Sequence, residues 1–141
     1  MTTFADTSAL YALLSRSDRS HTDAVRAAQT VRDQHETLWT IDAVVVELWR
    51  LLRGAAGHDE ADRLIQALIA RGLDVQPSAR EDYTRAWQLA ASWVDQDFAL
   101  TDRLAFAAIE RGRGFRAWSY DHDFAVIRLG PRRERALDLV Y

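Results

Sequence analysis

The chain has no cysteine and no lysine among its 141 residues. Without cysteine there is no disulfide framework, thiol nucleophile, thiolate zinc site or iron–sulfur cluster. Without lysine there is no Schiff-base chemistry, no P-loop lysine and no lysine of a phospho-aspartate receiver. Histidine is sparse: His21, His35, His58 and His122 are scattered without ligand spacing, which argues against a histidine-rich zinc site. Long apolar runs are missing too, so no membrane span is expected. The first residues lack a basic region and carry Asp6 where a secretion signal would be apolar. A soluble cytoplasmic protein that does not engage membranes is the expectation.

What is present fits one globular domain over residues 1–141, with 48% hydrophobic and 28% charged residues. A chain of this size buries roughly 68–70% of its unfolded surface and needs no covalent staples. All 18 basic residues are arginine, set against 21 acids. They are unevenly spread: residues 1–102 hold 10 arginines against 16 acids, whereas residues 103–141 hold 8 against 5. Arginine's planar fork suits phosphate, although taken alone the imbalance favours the plainer reading, a preference for arginine codons and a solvated basic face.

Short β-prone runs alternate with helical ones. Thr2 to Ala5 reads as a strand ending at Asp6, followed by a helix through Leu10, Leu13 and Leu14, capped by Thr7 or Ser8. Ser20 and Asp23 suggest a capping box for a second helix. Leu38 to Ile41 reads as a strand, and Asp42 as the cap of a helix from Ala43 to Arg53 that ends near Gly54. A helix from about Asp59 to Ala70 should turn Ile65, Leu68 and Ile69 inward, before a third strand at Leu73 to Val75. Ser78 and Glu81 form a second capping box, and Tyr83, Ala86, Trp87, Ala90, Trp93 and Val94 recur at helical spacing. Thr101 would cap a helix with Leu104, Phe106, Ala107, Ala108 and Ile109 inside; Arg116 to Tyr120 and Ala136 to Val140 complete the strands. Core packing is expected of Trp49, Trp87 and Trp118. Strands separated by helices imply a three-layer α/β/α fold around a parallel sheet of four to five strands.

In such sheets ligands collect beyond the carboxyl ends of the strands. Asp6 and Asp121 fall there directly, and Asp102 opens a helix at the same edge. Glu47 interrupts the apolar run Ala43 to Trp49, where an unpaired carboxylate is costly. Taken singly, each has an ordinary explanation: a turn, a helix cap, a pair with Arg50. Taken together, converging carboxylates repel unless a cation neutralises them. With neither lysine nor cysteine present, the natural cation is a hard divalent metal such as Mg²⁺.

Four segments then resemble the PIN-domain ribonucleases, specifically VapC-type toxins of toxin–antitoxin pairs. They are Ala5-Asp6-Thr7-Ser8-Ala9-Leu10, Val46-Glu47-Leu48, Leu100 to Ala107 around Asp102, and Ser119-Tyr120-Asp121-His122-Asp123-Phe124. In order they cover nearly the whole chain. The resemblance implies a PIN-like α/β/α fold and Mg²⁺- or Mn²⁺-dependent endoribonuclease activity. It implies Asp6, Glu47, Asp102 and Asp121 as catalytic metal-site acids, with Asp123 as an added ligand. Thr7 or Thr101 would orient water or a carboxylate. A metal-activated water would attack in line, leaving 5′-phosphate and 3′-hydroxyl ends. Arg103, Arg111, Arg113 and Arg116 would contact substrate phosphate, with Arg132 and Arg133 more distant in sequence; Asp95 and Asp97 read as helix-end solvation. Family members commonly form homodimers and are silenced by a cognate VapB-type antitoxin. The alternative is a catalytically silent PIN-like metal-binding interaction or regulatory module. A phosphohydrolase with a nucleophilic aspartate is disfavoured, since no second aspartate follows Asp6 two residues on.

Overall fold

Strand β1 (Thr2–Ala5) begins a buried run, Thr3, Phe4 and Ala5 being wholly inaccessible. A strand closed on both faces has to be central, and β1 is: the five-stranded sheet has the order β3-β2-β1-β4-β7. The structure, a computed structural model, describes residues 1–112 and 114–140. Its sheet joins β1 to β2 (Thr37–Ile41), β3 (Asp74–Gln76), β4 (Arg116–Trp118) and β7 (Asp138–Leu139), every pairing being parallel. Parallel neighbours need crossovers, which the helices supply. These are α1 (Thr7–Leu14), α2 (His21–Asp33), α3 (Asp42–Ala56), α4 (His58–Ala70), α5 (Arg80–Ser92), α6 (Leu100–Arg111) and the short α7 (His122–Val126). The result is a three-layer α/β/α architecture. A small antiparallel pair, β5 (Arg128–Leu129) with β6 (Arg135–Ala136), stands apart from the sheet and was not anticipated from the sequence.

Aromatic rings fill the space between sheet and helices. Phe4 meets Trp39 edge-on at 4.9 Å, and Phe106 meets Phe124 at 4.9 Å. Helix α6 is apolar over most of its circumference, with every residue from Leu104 to Ile109 buried, as expected of a helix enclosed by its neighbours. No helix among the described residues is long and apolar enough to cross a membrane.

Several local expectations are corrected. Asp6, not Thr7 or Ser8, occupies the cap position of α1. Helix α3 runs through Gly54 and stops at Gly57, whose φ of +92° is the left-handed turn that favours glycine. Asp42 is the first residue of α3; its Oδ1 accepts from the Ala43 amide at 2.8 Å and the Ser78 hydroxyl at 2.6 Å. With Ser78 so engaged, α5 starts at Arg80, and Asp82 accepts from the Ala79 amide at 2.9 Å in place of Glu81. Helix α6 begins at Leu100, so Thr101 lies within it. The buried stripe of α5 is Asp82, Ala86 and Leu89, which leaves Trp87 on the exposed side at 54% exposure. Ile69 is likewise exposed, at the end of α4.

Candidate active site

The acids meet at the carboxyl edge of the two central strands. Asp6 follows β1, and its amide donates to the Trp118 carbonyl at 3.0 Å, extending the β1–β4 ladder by one bond. Its side chain is 2% exposed. Oδ2 accepts from the Ser8 and Ser119 hydroxyls, each at 2.9 Å. Ser119 Oγ also accepts from the Asp121 amide at 3.0 Å, and Ser8 Oγ from the Tyr120 amide at 2.9 Å. Two hydroxyls thus tie the end of β1 to the segment after β4.

From that segment Asp121 caps α7, accepting from the Asp123 amide at 2.9 Å. Asp123 follows in the first turn of α7, and its carboxylate stands close enough to that of Asp102 for the two to interact. Asp102, in the first turn of α6, is 6% exposed. Carboxylate oxygens of Asp102, Asp121 and Asp123 all lie within 4.8 Å of one another. Glu47, half-buried on α3, acts on Asp102 through its charge and lines a groove of about 640 Å³ with Thr101, Tyr83 and Arg50.

The electrostatics follow from this crowding. Burial pushes Asp102 up to about 8, and the charges of Asp6, Asp121, Glu47 and Asp123 add to it. Burial raises Asp6 to about 6, against the opposing hydrogen bonds of Ser119, Ser8 and the Thr7 backbone. Asp123 is raised by burial and by Asp121. Among the described residues no arginine pairs with any of the five acids. Asp6 Oδ1 and the Thr7 hydroxyl are buried with no hydrogen-bond partner at all. A buried carboxylate oxygen without a donor is costly, and an external cation relieves it. The donor set is all oxygen, which fits Mg²⁺ or Mn²⁺ rather than a softer metal.

The arginines expected at the substrate are committed within the protein. Arg103 donates to the Phe98 and Ala86 carbonyls, both at 3.1 Å, and lies 5.6 Å over the Trp87 ring. Arg111 forks onto Asp82 at 2.8 and 2.9 Å. Arg116 opens β4 at the opposite edge of the sheet, bonded to Glu36 at 3.0 Å and Asp138 at 3.1 Å. Arg113 lies outside the described residues. The sequence points to Ser8 only as a helix cap and assigns no role to Ser119, although each stands two residues from a site acid, Asp6 and Asp121 respectively. Asp97 also contributes charge to the rim, raising Asp123.

Comparison with known proteins agrees with this fold. Residues 3–129 match the family model of the PIN domain. The structure is similar to VapC20 of Mycobacterium tuberculosis, a sarcin–ricin loop cleaving toxin, with a TM-score of 0.80. That match has 22% identity and covers 89% of this chain and 94% of the other. It is also similar to VapBC2 from Rickettsia felis, solved bound to a DNA fragment from their promoter. There the TM-score is 0.72 at 11% identity, covering 100% of both chains. At these identities the two structures speak for the fold alone. A comparison with curated proteins finds no match.

Proposed function

The chain belongs to the PIN-domain family, and on that premise we propose that it is a VapC-type toxin, an endoribonuclease that hydrolyses RNA with a divalent metal. The observation that carries the reading is the convergence of Asp6, Asp102, Asp121 and Asp123, with Glu47 beside them and, among the described residues, no compensating arginine. Asp6, Asp102, Asp121 and Asp123 would hold the ion, with Glu47 facing it from α3. When bound, Mg²⁺ or Mn²⁺ supplies a nucleophilic water at neutral pH and offsets charge at the scissile phosphate.

The protein's own residues do the rest. Ser8 and Ser119 fix Asp6 so that one oxygen is satisfied and the other is left for the ion. The helical cap at Asp121 sets the direction of Asp123. Burial of Asp102 keeps water from screening the charges around it. No histidine base is required, and the product ends would be 5′-phosphate and 3′-hydroxyl. A VapB-type antitoxin would be the partner, seated in the groove beside Glu47, where Val46, Leu51 and Leu100 leave apolar surface exposed. The fold shared with VapC20 and VapBC2 supports the toxin and antitoxin roles, and the residue roles rest on the geometry above.

The test is cleavage of structured RNA by the purified chain in Mg²⁺, with analysis of the product ends. Cutting that is lost in EDTA and in Asp6→Asn supports the proposal. Intact RNA in the presence of bound Mg²⁺ overturns it in favour of a silent binding module.

A further inference from the structure

The basic excess after residue 102 separates into two kinds of arginine. Arg103, Arg111 and Arg116 are held by carbonyls or carboxylates, and Arg128 donates to the Ala125, Val126 and Ile127 carbonyls. Arg132, Arg133 and Arg135 are different: among the described residues none of them pairs with an acid. All three line a groove of about 730 Å³ between the β5–β6 turn and one face of α5. Arg85 and Glu110 also line it, but they are forked together at 2.7 and 3.0 Å.

Two of the three guanidiniums, those of Arg133 and Arg135, are held in place. Arg135 lies 3.7 Å over the Phe115 ring, and Arg133 lies 5.1 Å over Trp93 while donating to the Ser92 carbonyl at 2.7 Å. Arg133 also sits at φ +53°, a left-handed conformation that non-glycine residues adopt reluctantly. The left-handed turn, the Ser92 bond and the two ring contacts occur together in the segment that lines the groove. Ring stacking occupies one face of a guanidinium and leaves N–H groups at its edge for an acceptor. Across the groove, Gln88 and Ser92 add neutral hydrogen-bonding groups.

We propose that this groove, lined by Arg132, Arg133 and Arg135, is a second contact for the phosphate backbone of RNA, away from the carboxylate site. The inference rests on the ribonuclease reading given above and extends it. Glu110 lies eight residues along α6 from Asp102, a rise of about 12 Å at 1.5 Å per residue. One RNA strand is long enough to engage both places. The acidic pocket repels phosphate until an ion is bound, so a separate cationic surface would hold the polymer while the acids act on one bond.

The test measures binding of a fluorescein-labelled single-stranded RNA of mixed sequence, in EDTA so that cleavage does not intervene. Arg132→Ala/Arg133→Ala/Arg135→Ala is compared with Arg16→Ala/Arg19→Ala/Arg26→Ala, a charge-matched control at three exposed positions, two in the connection between α1 and α2 and one on α2. Three lost phosphate contacts should flatten the slope of log affinity against log salt by about 2 and weaken binding about ten-fold or more. The control should change by less than about three-fold. Replacement by lysine at all three positions should restore most of the slope, because a lysine also neutralises phosphate, and it separates lost charge from a disturbed turn. Equal weakening in both triple variants, or none in either, overturns the groove while leaving the nuclease reading intact. RNA affinity retained alongside lost binding of poly-glutamate would reassign the groove to an acidic protein. No RNA binding by the wild-type chain in EDTA would also overturn the groove, whereas the nuclease reading falls only if the cleavage assay in Mg²⁺ fails.

Discussion

Asp82 and Asp102 are buried aspartates in the first turns of neighbouring helices, 2% and 6% exposed, and the protein treats them in opposite ways. Asp82 receives a forked arginine and an amide, and the Arg111 guanidinium with these hydrogen bonds holds it below the usual carboxylate range despite burial. Glu110 is forked by Arg85 and Glu36 is paired with Arg116 through one oxygen, and both are also lowered. Asp102 has other carboxylates around it and is raised to about 8. A chain with 18 arginines does not lack cations for its buried acids. Among the described residues it places them on one set and not on the other, so the uncompensated charge at the second set is built into this part of the fold.

The comparison breaks most visibly in catalysis. Asp6→Asn and Asp102→Asn should each lower RNA cleavage in Mg²⁺ by about a thousand-fold or more, as expected when a ligand of a metal-assisted hydrolysis is removed. Asp82→Asn should leave the rate within a few-fold on the folded fraction. Gel assays on protein checked by circular dichroism decide the matter; equal losses at Asp82 and Asp102 would erase the distinction.

Next in size is the hydroxyl pair. Ser119→Ala removes one of two donors to Asp6 Oδ2 and should cost about 10–100-fold in activity or metal affinity, the usual toll for a group that orients a ligand. Because that bond lowers the Asp6 pKa, its loss raises it, and the acid limb of the pH–rate profile should move to higher pH. A rate loss with an unmoved limb would mean that Ser119 acts only through packing.

The stability effects have opposite signs. Asp82→Asn should destabilise the protein by about 1–3 kcal/mol, since Arg111 loses its charged partner. Asp102→Asn should stabilise the metal-free protein at pH 8, because it removes a charge that the fold resists. The pH dependence has the same logic. Asp6 and Asp102 titrate near 6 and 8 instead of 3.8, so between those limits the folded chain holds more protons than the unfolded one. Stability of the metal-free protein therefore falls as pH rises through that window and levels off above it. Asp82 contributes in the other sense, losing its stabilisation as pH falls through its lowered pKa. Urea melts across pH, repeated with Mg²⁺, should show the alkaline loss recovered by the metal in wild type and not in Asp102→Asn.

Much of this was legible before the fold was known, for identifiable reasons. Strand ends are marked by a switch from β-prone residues to an acid, which located Asp6 and Asp121, and Glu47 stood out against its apolar neighbours. The alternation of strands and helices gave the layered parallel sheet. The sequence could not show which arginines were already taken, because Arg111 and Arg116 find partners 29 and 80 positions away. It could not show Ser8 and Ser119 meeting across 111 positions either, and serine has no hydrophobic period to betray it. Capping residues misled where a distant group competed, as Asp42 does for Ser78. The two-residue strands β5 and β6 are too short to leave an alternating pattern.

Trp87 gives the smallest effect and a clean check on the arginine-bearing side of the comparison. Helical spacing made it a core residue, yet the stripe that α5 buries is Asp82, Ala86 and Leu89, one step round the helix. The reason is the Asp82–Arg111 pair: seating that carboxylate against α6 rotates the helix so that the indole faces outward, over Arg103. Since Arg103 is held independently by the Phe98 and Ala86 carbonyls, the ring adds only an exposed cation–π contact. Trp87→Ala should therefore cost less than about 1 kcal/mol, against about 3–5 kcal/mol for Trp118→Ala in the core. Denaturant melts of the two variants measure the difference. A large loss at Trp87 would mean that this face of α5 is covered in solution, and that the arginines of this side serve an interface as well as the fold.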